Sequence, residues 1–184
     1  MTENKPSDLV KLNLRDAPED DEGVVMEGMP HGNALGMRLH SSKDGVSRLS
    51  VPYNEMLVGD PETGVLHGGV ITVLLDTACG SAIMSYPRKM RATATLDLRI
   101  DYMRPATKGE TVFARAECYR MTRSVGFARA IAYHSNPDDP IAMGTGTFII
   151  EPAKDDSAKD DAGKNGSAKN GSAKNETAPK EQGE

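Results

Sequence analysis

The stretch His67-Gly68-Gly69-Val70-Ile71-Thr72-Val73-Leu74-Leu75-Asp76-Thr77-Ala78-Cys79-Gly80-Ser81-Ala82-Ile83-Met84-Ser85 decides how this chain folds. Val70, Ile71, Val73, Leu74, Leu75, Ala78, Cys79, Ala82, Ile83 and Met84 fall on every side of a helix, so a helix buried all round is expected. Asp76 is its one acid. Burying an unpaired carboxylate is so unfavourable that the group finds donors or takes up a proton. A lone acid on a core helix is therefore either a structural acid paired with a neighbour or a candidate for acid/base or nucleophilic work.

The His67-Gly68-Gly69 start favours chemistry. Gly68 and Gly69 lack a Cβ, so a ligand atom can come close to the first free N–H groups of the helix, where the macrodipole favours negative charge. An oxyanion fits there. Gly68 and Asp76 are eight positions apart, which is about 12 Å along a helix. A base or nucleophile must lie about 3 Å from the atom whose oxygen the donors grip. One helix cannot hold both ends of one reaction, so a dimer with two antiparallel core helices and shared sites is expected.

Working outward, the 184 residues suffice for one domain. Residues 1–22 are polar, with the acidic run Glu19, Asp20, Asp21, Glu22, and are expected to be an extension. Residues 23–151 are expected to form the domain. Residues 152–184 read as a disordered low-complexity tail, because Lys, Asp, Asn, Gly, Ser and Ala dominate from Ala153 and the unit Gly-Ser-Ala-Lys-Asn at 166–170 recurs at 171–175.

The formal charge of −5, the absence of Trp and the lack of a basic stripe argue against a nucleic-acid partner. A membrane span is not expected, since a central Asp opposes insertion by about 2.5 to 3.5 kcal/mol. No signal peptide is read near Glu3, Lys5 and Asp8. Cys79 and Cys118 suggest no disulfide scaffold, and without Cys-x-x-Cys or clustered His no metal site is expected. The simplest location is cytoplasmic, with Cys79 a buried structural thiol.

A short helix is expected around Glu22 to Met29, then strands at 33–40 and 46–53 joined through Asp44-Gly45. The turn-rich loop Gly59-Asp60-Pro61-Glu62-Thr63-Gly64 leads into the helix. Beyond it the period changes to two: Ala94, Leu96, Leu98, Ile100 and Tyr102 alternate with Thr93, Thr95, Asp97, Arg99 and Asp101. Three further strands are expected near 110–122, 126–135 and 140–150. Each carries a register of small residues: Ala114, Ala116, Cys118; Ala128, Ala130, Ala132; Ala142, Gly144, Gly146. Such a face lets a helix approach closely, so the fold class is α+β, with an antiparallel sheet of about six strands curved around the long central helix.

The segments Gly64-Val65-Leu66-His67-Gly68-Gly69, Leu75-Asp76-Thr77-Ala78 and Leu96-Asp97-Leu98-Arg99-Ile100-Asp101-Tyr102-Met103-Arg104-Pro105-Ala106 together resemble the hotdog-fold acyl-CoA thioesterases of the phenylacetate-pathway (PaaI-like) type, over residues 28–150. The resemblance implies a dimer or tetramer that hydrolyses a fatty or aromatic acyl-CoA, with no cofactor, coenzyme A being part of the substrate. It implies Asp76 as the base or nucleophile and the Gly68 N–H as oxyanion donor, with Gly69 beside it in the substrate site. His67 would hold the loop near the thioester, or serve only as a capping residue. Thr95 would orient the water, and its outward register agrees with a lining role.

Relatives of this type often carry an Asn before His-Gly-Gly, where this chain offers Asp60. An ionised acid cannot donate to an oxyanion, so Asp60 is either a turn residue facing away or a mark of an oxyanion site made by backbone alone. The resemblance also points to Arg104, Arg120, Arg123 and the Ser124-Val125-Gly126 turn for the nucleotide end, the plain alternative being solvent-facing arginines. Acyl-CoA hydrolysis is the leading reading; non-catalytic acyl-CoA binding or sensing and the hydratase branch of the fold are the alternatives.

Overall fold

A computed structural model describes residues 23–26, 28–87 and 90–152. The expectations for the extension and for the tail beyond Pro152 lie outside the described residues. The stretch quoted first forms helix α2, Gly68–Met84. Before it come β1 (Val24–Val25), helix α1 (Pro30–Ala34), β2 (Arg38–Lys43), β3 (Val46–Val51), a 3-10 turn (Glu55–Leu57), β4 (Val58–Asp60) and β5 (Val65–Leu66). After it come β6 (Met90–Tyr102), β7 (Val112–Met121), β8 (Val125–Tyr133) and β9 (Ala142–Pro152). One antiparallel sheet of seven strands runs β1-β2-β3-β7-β8-β9-β6, and β4 and β5 form a separate hairpin. A long helix wrapped by an antiparallel sheet is the hotdog architecture that the resemblance implied.

The helix is not buried all round within the chain. Val70, Ile71, Leu74, Leu75, Ala78, Cys79, Ala82 and Ile83 are buried, a doublet on every turn that forms one stripe against the sheet. Thr72, Val73, Asp76, Thr77, Gly80, Ser81 and Met84 lie on the other side and retain solvent exposure. Val73 and Met84 gave that side an apolar reading, which explains why the sequence suggested a fully covered helix. The stripe settles on the small-residue register: Ala114, Ala128, Ala132 and Ala142 have no exposed surface. Two serines tie strand to helix, buried Ser47 Oγ donating to Ala78 O at 2.7 Å and half-buried Ser42 Oγ to Ser81 O at 3.1 Å. Gly146 is required by shape, because a Cβ there would stand 2.6 Å from the Phe148 ring.

Asp44 and Gly45 both have positive φ, the two-residue hairpin expected from the sequence. Upstream, the expected helix around 22–29 and strand at 33–40 are corrected. β1 and the short α1 occupy this region, and β2 begins only at Arg38. Pro30 sits at the first helical positions, where no N–H is needed, and Gly36 at φ +67 ends the helix.

A second correction decides the site. The register of β6 on β9 shifts between Thr95, opposite Phe148, and Asp97, opposite Thr147, so Leu96 is inserted as a bulge. Side chains on one face therefore change parity across it. Thr93 and Thr95 face α2 before the bulge; Leu98, Ile100 and Tyr102 face it afterwards. Leu96 is left 58% exposed, and Thr95 points inward to the helix, not outward. A third correction concerns the Ser124-Val125-Gly126 turn. Thr122 N donates to Val125 O at 2.8 Å and closes the turn early, so Val125 and Gly126 belong to β8. Among the described residues no helix is long and apolar enough to cross a membrane.

Candidate active site

Asp76 lies on the open side of α2, partly exposed. Thr95 Oγ1 donates to its Oδ1 at 2.8 Å. Oδ2 has no hydrogen-bond partner among the described residues, so one carboxylate oxygen is oriented and the other keeps its lone pairs free. With its proton engaged by Asp76, the Thr95 oxygen can still accept.

At the N-terminus of α2 the first turn is almost fully satisfied. His67 is the N-cap: its Nδ1 accepts the Gly69 N–H at 2.9 Å and its carbonyl accepts the Val70 N–H at 2.9 Å. The His67 N–H donates to Leu57 O at 2.8 Å, fixing the entry of the chain. Gly68 has the N–H of this turn without a partner among the described residues. Because Nδ1 of a neutral His67 accepts, Nε2 carries the proton and presents a second donor.

The two glycines differ in their reasons. A Cβ on Gly69 would stand 2.9 Å from His67 Nδ1, so Gly69 makes room for the capping ring. A Cβ on Gly68 would meet Tyr102 only at an ordinary 3.5 Å. The protein itself therefore does not demand glycine at 68. Beside Gly68 opens a cavity of about 360 Å³ whose wall includes Leu66, Ile71, Tyr102, Pro105 and Ile141. A smaller hollow of about 250 Å³ near Arg115, Arg129 and Met143 contains none of the candidate site residues read from the sequence.

Asp60 is engaged in its own turn. Its carboxylate accepts from Thr63 Oγ1 at 2.6 Å and from the Glu62 N–H at 3.1 Å, while its carbonyl accepts from Gly64 N at 2.8 Å. The Thr63 hydroxyl, followed by the Glu62 N–H, holds its carboxyl below the usual value. Cys79, one turn along from Asp76, is fully buried; burial, and then the nearby Asp76 charge, push its thiol up to about 12, which keeps it protonated at neutral pH.

A family model described as "Thioesterase superfamily" matches residues 63–141, which include the α2 N-terminus, Asp76 and Thr95. The medium/long-chain acyl-CoA thioesterase YigI of Escherichia coli is 30% identical over 135 residues, spanning 66% of this chain and 86% of YigI. This chain belongs to the thioesterase superfamily. Among solved structures, a Pseudomonas aeruginosa protein is 42% identical with a TM-score of 0.59, covering 65% of this chain and 88% of that one. A thioesterase family protein of Silicibacter pomeroyi is 30% identical with a TM-score of 0.61, covering 68% and 91%. The E. coli PaaI protein, at 22% identity and a TM-score of 0.60 over 67% of this chain and 86% of its own, shares the fold.

Within this thioesterase-superfamily chain the residues singled out fall into three groups along α2. His67, Gly68 and Gly69 stand at its N-terminus, and Asp76 with Thr95 at its middle. Gly126 packs against Ile83 near its C-terminal end, in the hairpin that also carries Arg120, Arg123, Ser124 and Val125. Arg104 belongs with the first group, on the cavity wall, and its guanidinium is engaged by Asp139: Nη2 lies 3.0 Å from the carboxylate and 2.8 Å from the carbonyl. One chain thus separates Arg104 from Arg123 by the length of the helix, about 25 Å. Among the described residues no group of three or more His, Cys, Asp or Glu side chains could hold a metal ion.

Two polar residues at the helix N-terminus escaped the sequence reading. Tyr102 Oη lies 2.8 Å from Gly68 O and 2.8 Å from Thr72 Oγ1. By sequence Tyr102 reads as part of the apolar alternation of its strand, and Thr72 lies within the helical stretch without belonging to its apolar positions. The available signal was Thr72 four positions after Gly68, where a hydroxyl reaches back to the i−4 carbonyl.

Proposed function

We propose that this chain hydrolyses an acyl-CoA thioester to the free acid and coenzyme A, with Asp76 as general base and the Gly68 N–H as oxyanion donor. The observation that carries the reading is the pair of unspent groups on one helix. Gly68 has the unpartnered N–H of an otherwise satisfied first turn, and Asp76 keeps one carboxylate oxygen free while Thr95 orients the other. The thioester carbonyl oxygen rests on Gly68. A water held between Asp76 Oδ2 and the Thr95 oxygen gives its proton to the carboxylate as its oxygen attacks the carbonyl carbon. The tetrahedral oxyanion is stabilised by the N–H and the positive end of the helix. When it collapses, the C–S bond breaks and Asp76 returns the proton to the departing thiolate. Thr95 favours this role over direct attack by the carboxylate, since it supplies the water with a second acceptor.

Both groups come together only across two copies. Gly68 and Asp76 are about 12 Å apart on one helix, so Gly68 of one chain works with Asp76 of its partner. Two features support the pairing: the open side of α2 carries Val73 and Met84 beside Asp76, and β6 pairs only with β9 among the described residues, leaving a 13-residue edge. Antiparallel helices also set the Arg120–Gly126 hairpin of the partner near the first turn, where Arg120 and Arg123 can meet the nucleotide phosphates. Asp60 does not oppose the oxyanion, because its carboxylate is held in its own turn.

Thiol release from acyl-CoA esters of short, long and aromatic acids tests the reading. Turnover of at least one class, lost on Asp76→Asn, is expected. Tight acyl-CoA binding without thiol release, or loss of an enoyl chromophore in its place, would overturn it in favour of a binder or a hydratase.

A further inference from the structure

Gly68 O, the carbonyl of the first helical residue, has more hydrogen bonds than a helix needs. Tyr102 Oη donates to it at 2.8 Å and Thr72 Oγ1 stands 3.2 Å from it, the two hydroxyls themselves 2.8 Å apart. That carbonyl belongs to the Gly68–Gly69 peptide, whose N–H is the donor to His67 Nδ1. A continuous line of hydrogen bonds therefore runs from Thr72 and Tyr102, through one peptide group, to the His67 ring. Donation into the carbonyl polarises the amide and strengthens the bond from its N–H, as in any hydrogen-bonded chain. The stronger that bond, the more firmly His67 is held with its proton on Nε2.

The same line controls direction. The Gly68 N–H lies in the His67–Gly68 peptide, one Cα before the peptide that Tyr102 holds. Two glycines in sequence restrict φ and ψ least, so the His67–Gly68 plane is held chiefly by one backbone bond, from the Val70 N–H to His67 O at 2.9 Å. A second hold, on the next peptide, sharpens the direction of an N–H that must meet an oxygen within a few tenths of an ångström. Tyr102 is suited to do so: it ends β6, the strand whose Thr95 orients Asp76. A Cβ built on Gly68 would stand 3.5 Å from the Tyr102 hydroxyl, so the ring end lies directly over this residue.

We propose that Tyr102, assisted by Thr72, is a positioning residue of the oxyanion site, setting through the Gly68–Gly69 peptide both the direction of the Gly68 N–H and the tautomer of His67. This rests on the thioesterase reading for its effect on rate, but not for its effect on His67. Both protons of the hydroxyl pair are used within the pair and on Gly68 O, so the hydroxyls act through the peptide and leave the substrate to Gly68 and His67.

Tyr102→Phe keeps the ring and removes the hydroxyl; Thr72→Val keeps the shape of Thr72. In the full-length protein, long-range ¹H–¹⁵N correlation spectra report the tautomer of each histidine, and His67→Gln assigns the His67 signals. The parent is expected to show His67 protonated on Nε2, and Tyr102→Phe a mixture of tautomers. With a thioester substrate, Tyr102→Phe should lower kcat about tenfold with KM within about twofold. Thr72→Val should act in the same direction more weakly, and the double variant should lose less than the product of the two. A Tyr102→Phe protein with the parental tautomer and the parental kcat overturns the proposal. Should Tyr102→Phe not fold, an unchanged tautomer and kcat in Thr72→Val overturn it equally. A parent that hydrolyses no thioester refutes the assigned reaction, while the spectra still decide on the clamp.

Discussion

Thr95 reaches Asp76 because β6 gains a residue at Leu96: without the bulge, the strand that turns Leu98 and Ile100 toward α2 would turn Thr95 away from it. The hydroxyl donates to Oδ1 at 2.8 Å and leaves Oδ2 unengaged. Thr95→Val should therefore fold and bind acyl-CoA but lose about tenfold in kcat, with Thr95→Ser restoring most of it. Equal kcat in the Val and parent enzymes would show that the hydroxyl has no part in the reaction.

Asp76→Asn keeps an acceptor for Thr95 and removes the basicity. Turnover should fall by on the order of 10²-fold or more, with acyl-CoA binding retained and stability changed by less than about 1 kcal/mol. A variant that turns over normally but melts several degrees lower would make Asp76 a structural residue.

Single-turnover hydrolysis in ¹⁸O-labelled water tests for a covalent role of the carboxylate, which leaves label in the protein when water opens the anhydride at the Asp76 carbon. With Asp76 as base, one ¹⁸O appears in the released acid and none in the protein. Label in an Asp76-containing peptide would instead mean that the carboxylate attacks and forms an anhydride.

The two glycines should part company on substitution. Gly68→Ala places its Cβ at an ordinary 3.5 Å from Tyr102, so the parental melting temperature is expected with turnover largely lost. Gly69→Ala presses on the His67 ring from 2.9 Å and should lower both stability and kcat. The opposite pattern, a destabilised but active Gly68→Ala, would mean that Gly68 serves the fold and not the substrate.

Asp60 titrates below the ordinary range because the Thr63 hydroxyl and the Glu62 N–H bind its charged form. A carboxyl lowered on folding contributes stability that is present above its unfolded value of 3.8 and is lost as pH falls through the folded one. The effect is thus confined to acid, below about pH 4. Thr63→Val should move the Asp60 carboxyl resonance titration up toward 3.8 while leaving kcat at neutral pH unchanged. A fall in neutral-pH activity would tie this turn to the reaction.

Much of this was legible because it depends on local chemistry. Asp44-Gly45 dictated its hairpin, the small residues of β7, β8 and β9 announced a close helix, and His67-Gly68-Gly69 marked a helix start with a free donor. What escaped depends on pairing between strands. Alternation counted along 92–104 assumes an unbroken register, and nothing in Thr95-Leu96-Asp97 declares that Thr147 will face Asp97 and leave Leu96 over. The inward turn of Thr95, the clamp of Tyr102 on Gly68 and the one-sided burial of α2 all depend on where β6 lies against β9 and the helix. A single-chain reading of Val73 and Met84 could not tell a face covered by the sheet from one left open.

The division of α2 into two non-overlapping sets of positions has a consequence for how such a protein can change. The doublets from Val70 to Ile83 anchor the helix, and none of them is Asp76, Thr72 or Gly80. Substitutions on the open side can reshape what the enzyme accepts at little cost to the scaffold, because they touch few of the contacts that hold the helix in the sheet. Directed evolution toward a bulkier or shorter acyl group should accordingly find tolerated replacements at Thr77 and Ser81, fewer at Val73 and Met84, which the proposed helix pairing uses, and fewest in the doublets.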